Sequence, residues 1–184
     1  MFVIELQNKV NLNKKNYYDG NKYYGEINLQ RHTREGLGIY IYHYGDIYFG
    51  TWKDNSLLSG TYIFKNGDCF EGTVKNGKQG SGTYYYFNGN IYHGGWVDDF
   101  KQGEGKMFYA NGDSYDGTWV KGKKNGFGTY FFNNGTIYRG NFANGKKNGF
   151  GTIDFNDGTK VEASWMGNHI EGKGKIFYQN GDYF

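Results

Sequence analysis

The amino-acid sequence predicts an all-β fold: an elongated, single-layer antiparallel β-meander, solenoid-like, of about seven two-stranded units. The first observation is a short, nearly fixed period. Aligned on their first large residue, the units start at Tyr23, Tyr48, Phe70, Tyr92, Tyr115, Tyr138 and Val161, with spacings of 25, 22, 22, 23, 23 and 23; a period of this size means identical supersecondary units stacked in a line. The second is punctuation: Asn-Gly and Asp-Gly pairs recur between the units while proline is absent, and such pairs supply the positive φ that tight hairpin turns demand. The third is that aromatics make up 21% of the chain and Gly 32 of its 184 residues, so rings carry most of the apolar surface of many short strands.

Taken in order, residues 1–16 are a leading segment that could cap the array, and residues 17–184 are the array itself. "YYDGNKYYGE", from Tyr17, matches the end of one unit running into the next. Each unit opens with a strand Tyr-x-Gly-x-Trp, as in Tyr92 to Trp96. A loop such as "VKGKKNG" leads to a second strand, Gly-x-Gly-x-aromatic-x-aromatic, as in Gly126 to Phe132, and a turn such as Asn134-Gly135 leads on. Side chains alternate across a strand, so Tyr92, Gly94 and Trp96 share a face with their counterparts Tyr115, Gly117, Trp119 and Tyr138, Gly140, Phe142. The second strands add Tyr84/Tyr86, Met107/Tyr109, Tyr130/Phe132 and Ile153/Phe155. The other face is mostly polar, with scattered Tyr85, Phe108, Phe131 and Phe177. A glycine between two large rings leaves room for a ring from the adjoining strand, a cross-strand device that rescues glycine in sheets.

The formal charge of +3 is too small to mark a nucleic-acid binder, and rings engaged in the sheet are not free to stack on bases. Cys69 is the single cysteine, which excludes an intrachain disulfide and favours a reducing compartment. "MFVIELQNKV" is interrupted by Glu5 and is too short for a secretory signal; no apolar run approaches the roughly 20 residues of a spanning helix. A cytoplasmic protein is expected.

The unit Tyr-x-Gly-x-Trp, lysine-rich Gly loop, Gly-x-Gly-x-Tyr, Asn-Gly-Asp resembles the membrane occupation and recognition nexus (MORN) repeat, from Tyr17 to Phe184. Ile27 and Val74 replace the Trp, Leu58 stands where the first paired Gly belongs, and Val161 and Ala163 alter the last opening. The resemblance implies a twisted antiparallel sheet that binds or positions other proteins, often in cytoskeletal or axonemal assemblies at a cilium or the cell cortex; binding of phosphoinositides has also been ascribed to such repeats.

A repeat presents the same groups again and again, whereas catalysis needs different groups converging. No enzyme activity, cofactor or metal is therefore expected. Gly149-Phe150-Gly151 and Gly172-Lys173-Gly174 lack the strand-loop-helix setting of a phosphate loop, and His32, His43, His93 and His169 lack metal-ligand spacing. Two surfaces remain. The aromatic face, with Trp96, Trp119, Phe142 and Trp165 flanked by Tyr86, Tyr109, Phe132 and Phe155, reads as a continuous apolar floor for a partner's amphipathic helix or extended segment. On that reading Trp119→Ala weakens the partner and charge reversal at Lys123, Lys124, Lys146 and Lys147 changes little. The alternative is a peripheral membrane module in which Lys121, Lys123, Lys124, Lys146 and Lys147, with Lys75, Lys78 and Lys101, line one loop edge and meet anionic phospholipid. The unpaired end strands, above all "GKIFYQNGDYF", offer a route to homodimers.

Overall fold

The computed structural model describes residues 13–74 and 78–184; of the leading segment, residues 1–12 lie outside the described residues, as does Lys75. The chain divides into two compact units, Met1–Phe87 and Asn88–Phe184. All fifteen regular elements among the described residues are strands. The first unit holds β1 (Asn13–Asn16), β2 (Lys22–Asn28), β3 (Thr33–Ile41), β4 (Ile47–Lys53), β5 (Ser56–Ile63), β6 (Cys69–Thr73) and β7 (Gln79–Tyr85). The second holds β8 (Ile91–Val97), β9 (Phe100–Phe108), β10 (Ser114–Val120), β11 (Lys123–Phe131), β12 (Ile137–Ala143), β13 (Lys146–Asp154), β14 (Lys160–Met166) and β15 (His169–Phe177). Within each unit every strand pairs antiparallel with its neighbour in the chain, the meander that the period predicts.

The lysine-rich connection expected as a loop is mostly strand. In the second unit Val97 faces Phe100, Val120 faces Lys123, Ala143 faces Lys146 and Met166 faces His169, so each hairpin closes on two residues. Those residues are Asp98-Asp99, Lys121-Gly122, Asn144-Gly145 and Gly167-Asn168, all with φ between 46° and 86°. Positive φ at both central positions is the hairpin turn whose twist matches the flanking strands. Lys123, Lys124, Lys146 and Lys147 thus belong to β11 and β13 and must alternate between faces, which a loop would not require.

The two glycines of Gly-x-Gly differ in purpose. From Gly94↔Gly105 to Trp96↔Lys101, β8 advances two residues while β9 advances four. The extra residues form a bulge, and Gly103 at its centre has φ +74°. Gly36, Gly80, Gly126, Gly149 and Gly172 repeat this conformation with φ from 59° to 90°. Where Leu58 takes the place, β5 carries one extra residue rather than two, because Thr51↔Ser59 is followed directly by Trp52↔Leu57. A side chain resists the positive φ, and the bulge shrinks.

The second glycine makes room for a ring of the adjoining strand, as expected, and the same ring also lies over the glycine two residues after it in its own strand. Tyr92 lies across Gly94 and its cross-strand partner Gly105, so that a Cβ on either would run into the phenol. Tyr23, Tyr115 and Tyr138 lie likewise over Gly25/Gly38, Gly117/Gly128 and Gly140/Gly151, and Phe70 over Gly72/Gly82. Tyr23, Tyr48, Phe70, Tyr92, Tyr115 and Tyr138 are fully buried. Each tyrosine also donates its hydroxyl to a backbone carbonyl beside the bulge: Tyr23 to Glu26 at 2.9 Å, Tyr92 to Gly95 at 3.1 Å, Tyr115 to Thr118 at 3.2 Å and Tyr138 to Asn141 at 3.1 Å. A bulge interrupts the ladder, and the phenol satisfies a carbonyl there.

Candidate binding face

The ring-bearing face of the second unit is a chain of edge-to-face contacts. Tyr92 meets Trp96 and Trp119 at centroid distances of 5.2 and 5.3 Å, Tyr115 meets Trp119 and Phe142 at 5.3 and 5.1 Å, and Tyr138 meets Phe142 and Trp165 at 5.2 and 5.6 Å. Interplanar angles of 81° to 90° place ring edges on ring faces, the arrangement the ring quadrupole favours by about 0.5–1.5 kcal/mol per pair. Indole N–H groups tie successive hairpins together: Trp119 donates to Gly105 O at 2.9 Å and Trp165 to Gly151 O at 3.3 Å.

Over this row lie cations. The Lys101 ammonium sits 4.5 Å from the Trp119 ring and 5.4 Å from Tyr92; Lys124 sits 5.3 Å from Tyr115, 5.4 Å from Phe142 and 4.5 Å from Tyr130; Lys147 sits 4.9 Å from Tyr138 and 4.6 Å from Trp165. In the first unit Arg34 does the same, 4.3 Å from Trp52 and 4.8 Å from Tyr40. The next hairpin fixes each backbone: Asn55, Gly122, Gly145 and Asn168 donate their N–H to the carbonyls of Arg34, Lys101, Lys124 and Lys147. Half-buried ammonium groups lose hydration, and their pKa values fall. Burial and then the charge of Lys124 bring Lys101 down to about 8. Burial and then Lys147 bring Lys124 down to about 8 against the opposing pull of Asp113, and burial lowers Lys147.

A second row of rings runs along the rim, from the second strands into the turns. In the first unit it is continuous: Tyr40–Tyr42, Tyr42–Tyr62, Tyr62–Phe64, Phe64–Tyr84 and Tyr84–Tyr86 lie 4.5 to 5.8 Å apart. Turn aspartates anchor it. Asp46 accepts from Tyr62 Oη at 2.9 Å and Lys65 N at 2.8 Å, Asp68 from Tyr84 Oη at 2.7 Å and Phe87 N at 2.8 Å, and Asp113 from Tyr130 Oη at 2.7 Å and Asn133 N at 2.8 Å. Burial alone would raise the Asp68 and Asp113 carboxyls; these hydrogen bonds outweigh it and hold both below the usual value. Between the rows, Lys124, Tyr130, Phe132, Phe142, Gly145, Lys147 and Asn168 line an open cavity of about 290 Å³.

The expected floor is therefore split. Trp96, Trp119, Phe142 and Trp165 are only 3%, 3%, 4% and 7% exposed: they are interior residues, and Lys101, Lys124 and Lys147 lie over the last three. Tyr86, Tyr109 and Phe132 are half-buried and Phe155 is exposed, so the accessible part of that set is the rim. The lysine edge is split too. Lys121 in a turn and Lys123 and Lys146 at strand starts are exposed, while Lys124 and Lys147 turn onto the rings. Cys69 stands half-buried at the start of β6, and burial together with Glu71 pushes its thiol pKa up, the opposite of what a nucleophile needs. The carboxylate-to-tyrosine links went unread in the sequence although their offset of 16 or 17 residues is regular.

Among solved structures, the chain resembles the TCP domain of Drosophila melanogaster SAS-4 (dCPAP), solved in complex with a proline-rich motif of Ana2 (dSTIL), at 15% identity, covering 96% of this chain and 89% of that one, with a TM-score of 0.54. It also resembles the TCP10 domain of Danio rerio CPAP at 13% identity, 93% and 81% coverage and a TM-score of 0.55. A third match is the G-box domain of the microcephaly protein CPAP, at 13% identity, 94% and 96% coverage and a TM-score of 0.53. At these identities the likeness is one of fold. Among curated proteins none matches. The sequence pattern of the MORN repeat matches five consecutive stretches, residues 70–91, 92–114, 115–137, 138–160 and 162–183. These cover more than half of the chain and carry the buried tyrosine row, the bulge glycines and the lysine roof of the second unit: the chain belongs to the MORN repeat family.

Proposed function

We propose that this protein is a non-enzymatic scaffold that binds a partner protein along the ring-bearing face, within a cytoskeletal or axonemal assembly. The observation that carries it is the open cavity lined by Lys124, Tyr130, Phe132, Phe142 and Lys147. Within the second unit no helix or second sheet lies over that face, and accessible rings beside cations are the side chains that anchor protein interfaces. A domain of the same fold, that of SAS-4, is found with a proline-rich motif of another protein, and the G-box domain is ascribed a role in centriole elongation; both support capture of a cytoskeletal partner.

The test is affinity capture with the full chain as bait, comparing Tyr109→Ala/Phe132→Ala on the ring-bearing face with Phe108→Ala/Phe131→Ala on the opposite face, each checked for an unchanged unfolding midpoint. Capture lost with the first pair and kept with the second supports the reading. The reverse pattern sinks it.

A further inference from the structure

The cations on the ring-bearing face of the second unit recur at one position per repeat. We propose that this row receives an acidic segment of the partner in polyproline II conformation, with a carboxylate at every third residue meeting Lys101, Lys124 and Lys147 in turn; the proposal rests on the protein-binding reading above and specifies the partner's chemistry.

Three observations lead there. The first is charge. Lys101 feels Lys124 and Lys124 feels Lys147, and among the described residues neither Lys124 nor Lys147 forms an ion pair. The one carboxylate acting on Lys124, that of Asp113, is engaged by Tyr130 and Asn133. A row of like charges held in a partly desolvated groove favours an anionic occupant. The second is spacing. Equivalent positions in successive hairpins are two strands apart, about 9.6 Å at the usual inter-strand distance. Polyproline II has three residues per turn and a rise of about 3.1 Å, so residues i, i+3 and i+6 share one face about 9.3 Å apart. An extended strand repeats its face every two residues, about 6.7 Å, and falls out of step. The third is recess. The ammonium groups of Lys124 and Lys147 lie over Tyr130 and Trp165, within 4.5 and 4.6 Å of the ring centroids. A flat bilayer would meet exposed Lys121, Lys123 and Lys146 at the turn edge first, whereas a narrow peptide enters between the rows and lays its apolar residues on Tyr130 and Phe132.

The probe is a fluorescein-labelled peptide of four Glu-Pro-Pro triplets, titrated with the full chain and followed by anisotropy, beside a peptide of the same composition with its glutamates clustered. Wild type should bind the triplet peptide at least about tenfold more tightly than the clustered one. Lys124→Leu/Lys147→Leu should weaken it about tenfold or more; the chain itself carries Leu57 and Ile170 opposite Trp52 and Trp165 at this place, so the fold accepts the change. Lys121→Gln/Lys123→Gln/Lys146→Gln should stay within about twofold. Equal binding of both peptides, or equal loss in the rim variant, overturns the proposal. So does a chain that ignores the peptide, and vesicles containing phosphatidylserine that bind it would then locate the anion in a membrane. If the peptide fails while partner capture still depends on Tyr109 and Phe132, the scaffold reading stands and only the acidic chemistry falls.

Discussion

The two units spend their aromatic residues differently. In the second, Trp96, Tyr92, Trp119, Tyr115, Phe142, Tyr138 and Trp165 form one unbroken inner row, and along the rim Tyr109, Tyr130 and Phe132 are linked in sequence. In the first, the inner row comprises Tyr23, Trp52 and Tyr48 before Phe70 and Val74 take over, while the rim runs unbroken from Tyr40 to Tyr86. Single-layer sheets must find ring contacts somewhere, because no second layer supplies a core. The difference shows that either row can do so, and that the half of the chain closest to the family pattern is the one that invests in the interior.

The strongest way to break this comparison is to remove an inner ring. Trp119→Ala deletes two edge-to-face contacts, the roof under Lys101 and the hydrogen bond to Gly105, and should cost about 3–5 kcal/mol in urea unfolding. Val74 occupies the same place in the first unit and is buried too, but Val74→Ala removes two methyl groups rather than a ring system and should cost less than half as much. Equal costs would mean that the inner row is no more important in one unit than in the other. Next in size is Gly128→Ala. Its Cβ would stand 2.6 Å from Tyr115 Cε2, and overpacking of this kind costs about 1–3 kcal/mol. Gly145→Ala meets nothing within 4 Å, yet its φ of +86° makes it a strain test rather than a packing test.

The rim offers a finer probe. Where the turn supplies an aspartate, the next hairpin answers with tyrosine: Asp46 with Tyr62, Asp68 with Tyr84, Asp113 with Tyr130. Where the turn carries Asn90, Thr136 or Thr159, the same site holds Met107, Ile153 or Ile176. A double-mutant cycle of Asp113→Asn with Tyr130→Phe should give a coupling of about 1 kcal/mol, and the Asp46/Tyr62 cycle in the first unit a similar one. Coupling near zero in both would reduce the correlation to coincidence.

Much of this architecture is legible in the residues. The period, the Asn-Gly turns and the alternation of Tyr-x-Gly-x-Trp define the meander and the ring-bearing face. Two features are hidden for physical reasons. A glycine letter does not disclose its φ, so Gly126, which makes the bulge, reads like Gly128, which makes room for Tyr115. Adjacent lysines look alike in a presumed loop, whereas in a strand Lys123 and Lys124 point to opposite faces. One signal could have exposed the second error: five residues after Trp52, Trp96, Trp119, Phe142 and Trp165 stand Leu57, Lys101, Lys124, Lys147 and Ile170, and a site that exchanges lysine with leucine or isoleucine faces something apolar.

The smallest expected effect concerns the roofing cations themselves. In the first unit the roofing cation is a guanidinium, that of Arg34, whereas in the second Lys101 and Lys124 titrate at about 8 and Lys147 below the usual lysine value. In the unfolded chain these lysines hold their protons to about pH 10.4. Between the two values the unfolded state binds more protons, so stability rises with pH. Above about pH 10 the sign reverses. Burial raises Tyr138 to about 12, and burial and then Tyr42 raise Tyr48 to about 12, so unfolded tyrosines ionise first and stability falls. The urea midpoint of the wild type should therefore climb modestly from pH 7.5 to 9.5 and decline beyond 10. Lys101→Arg/Lys124→Arg/Lys147→Arg converts the roof of the second unit to the chemistry of Arg34 and should flatten the climb while keeping the decline. The same slope in both proteins would show that the rise, if any, comes from other groups and that the half-buried lysines do not distinguish the two units.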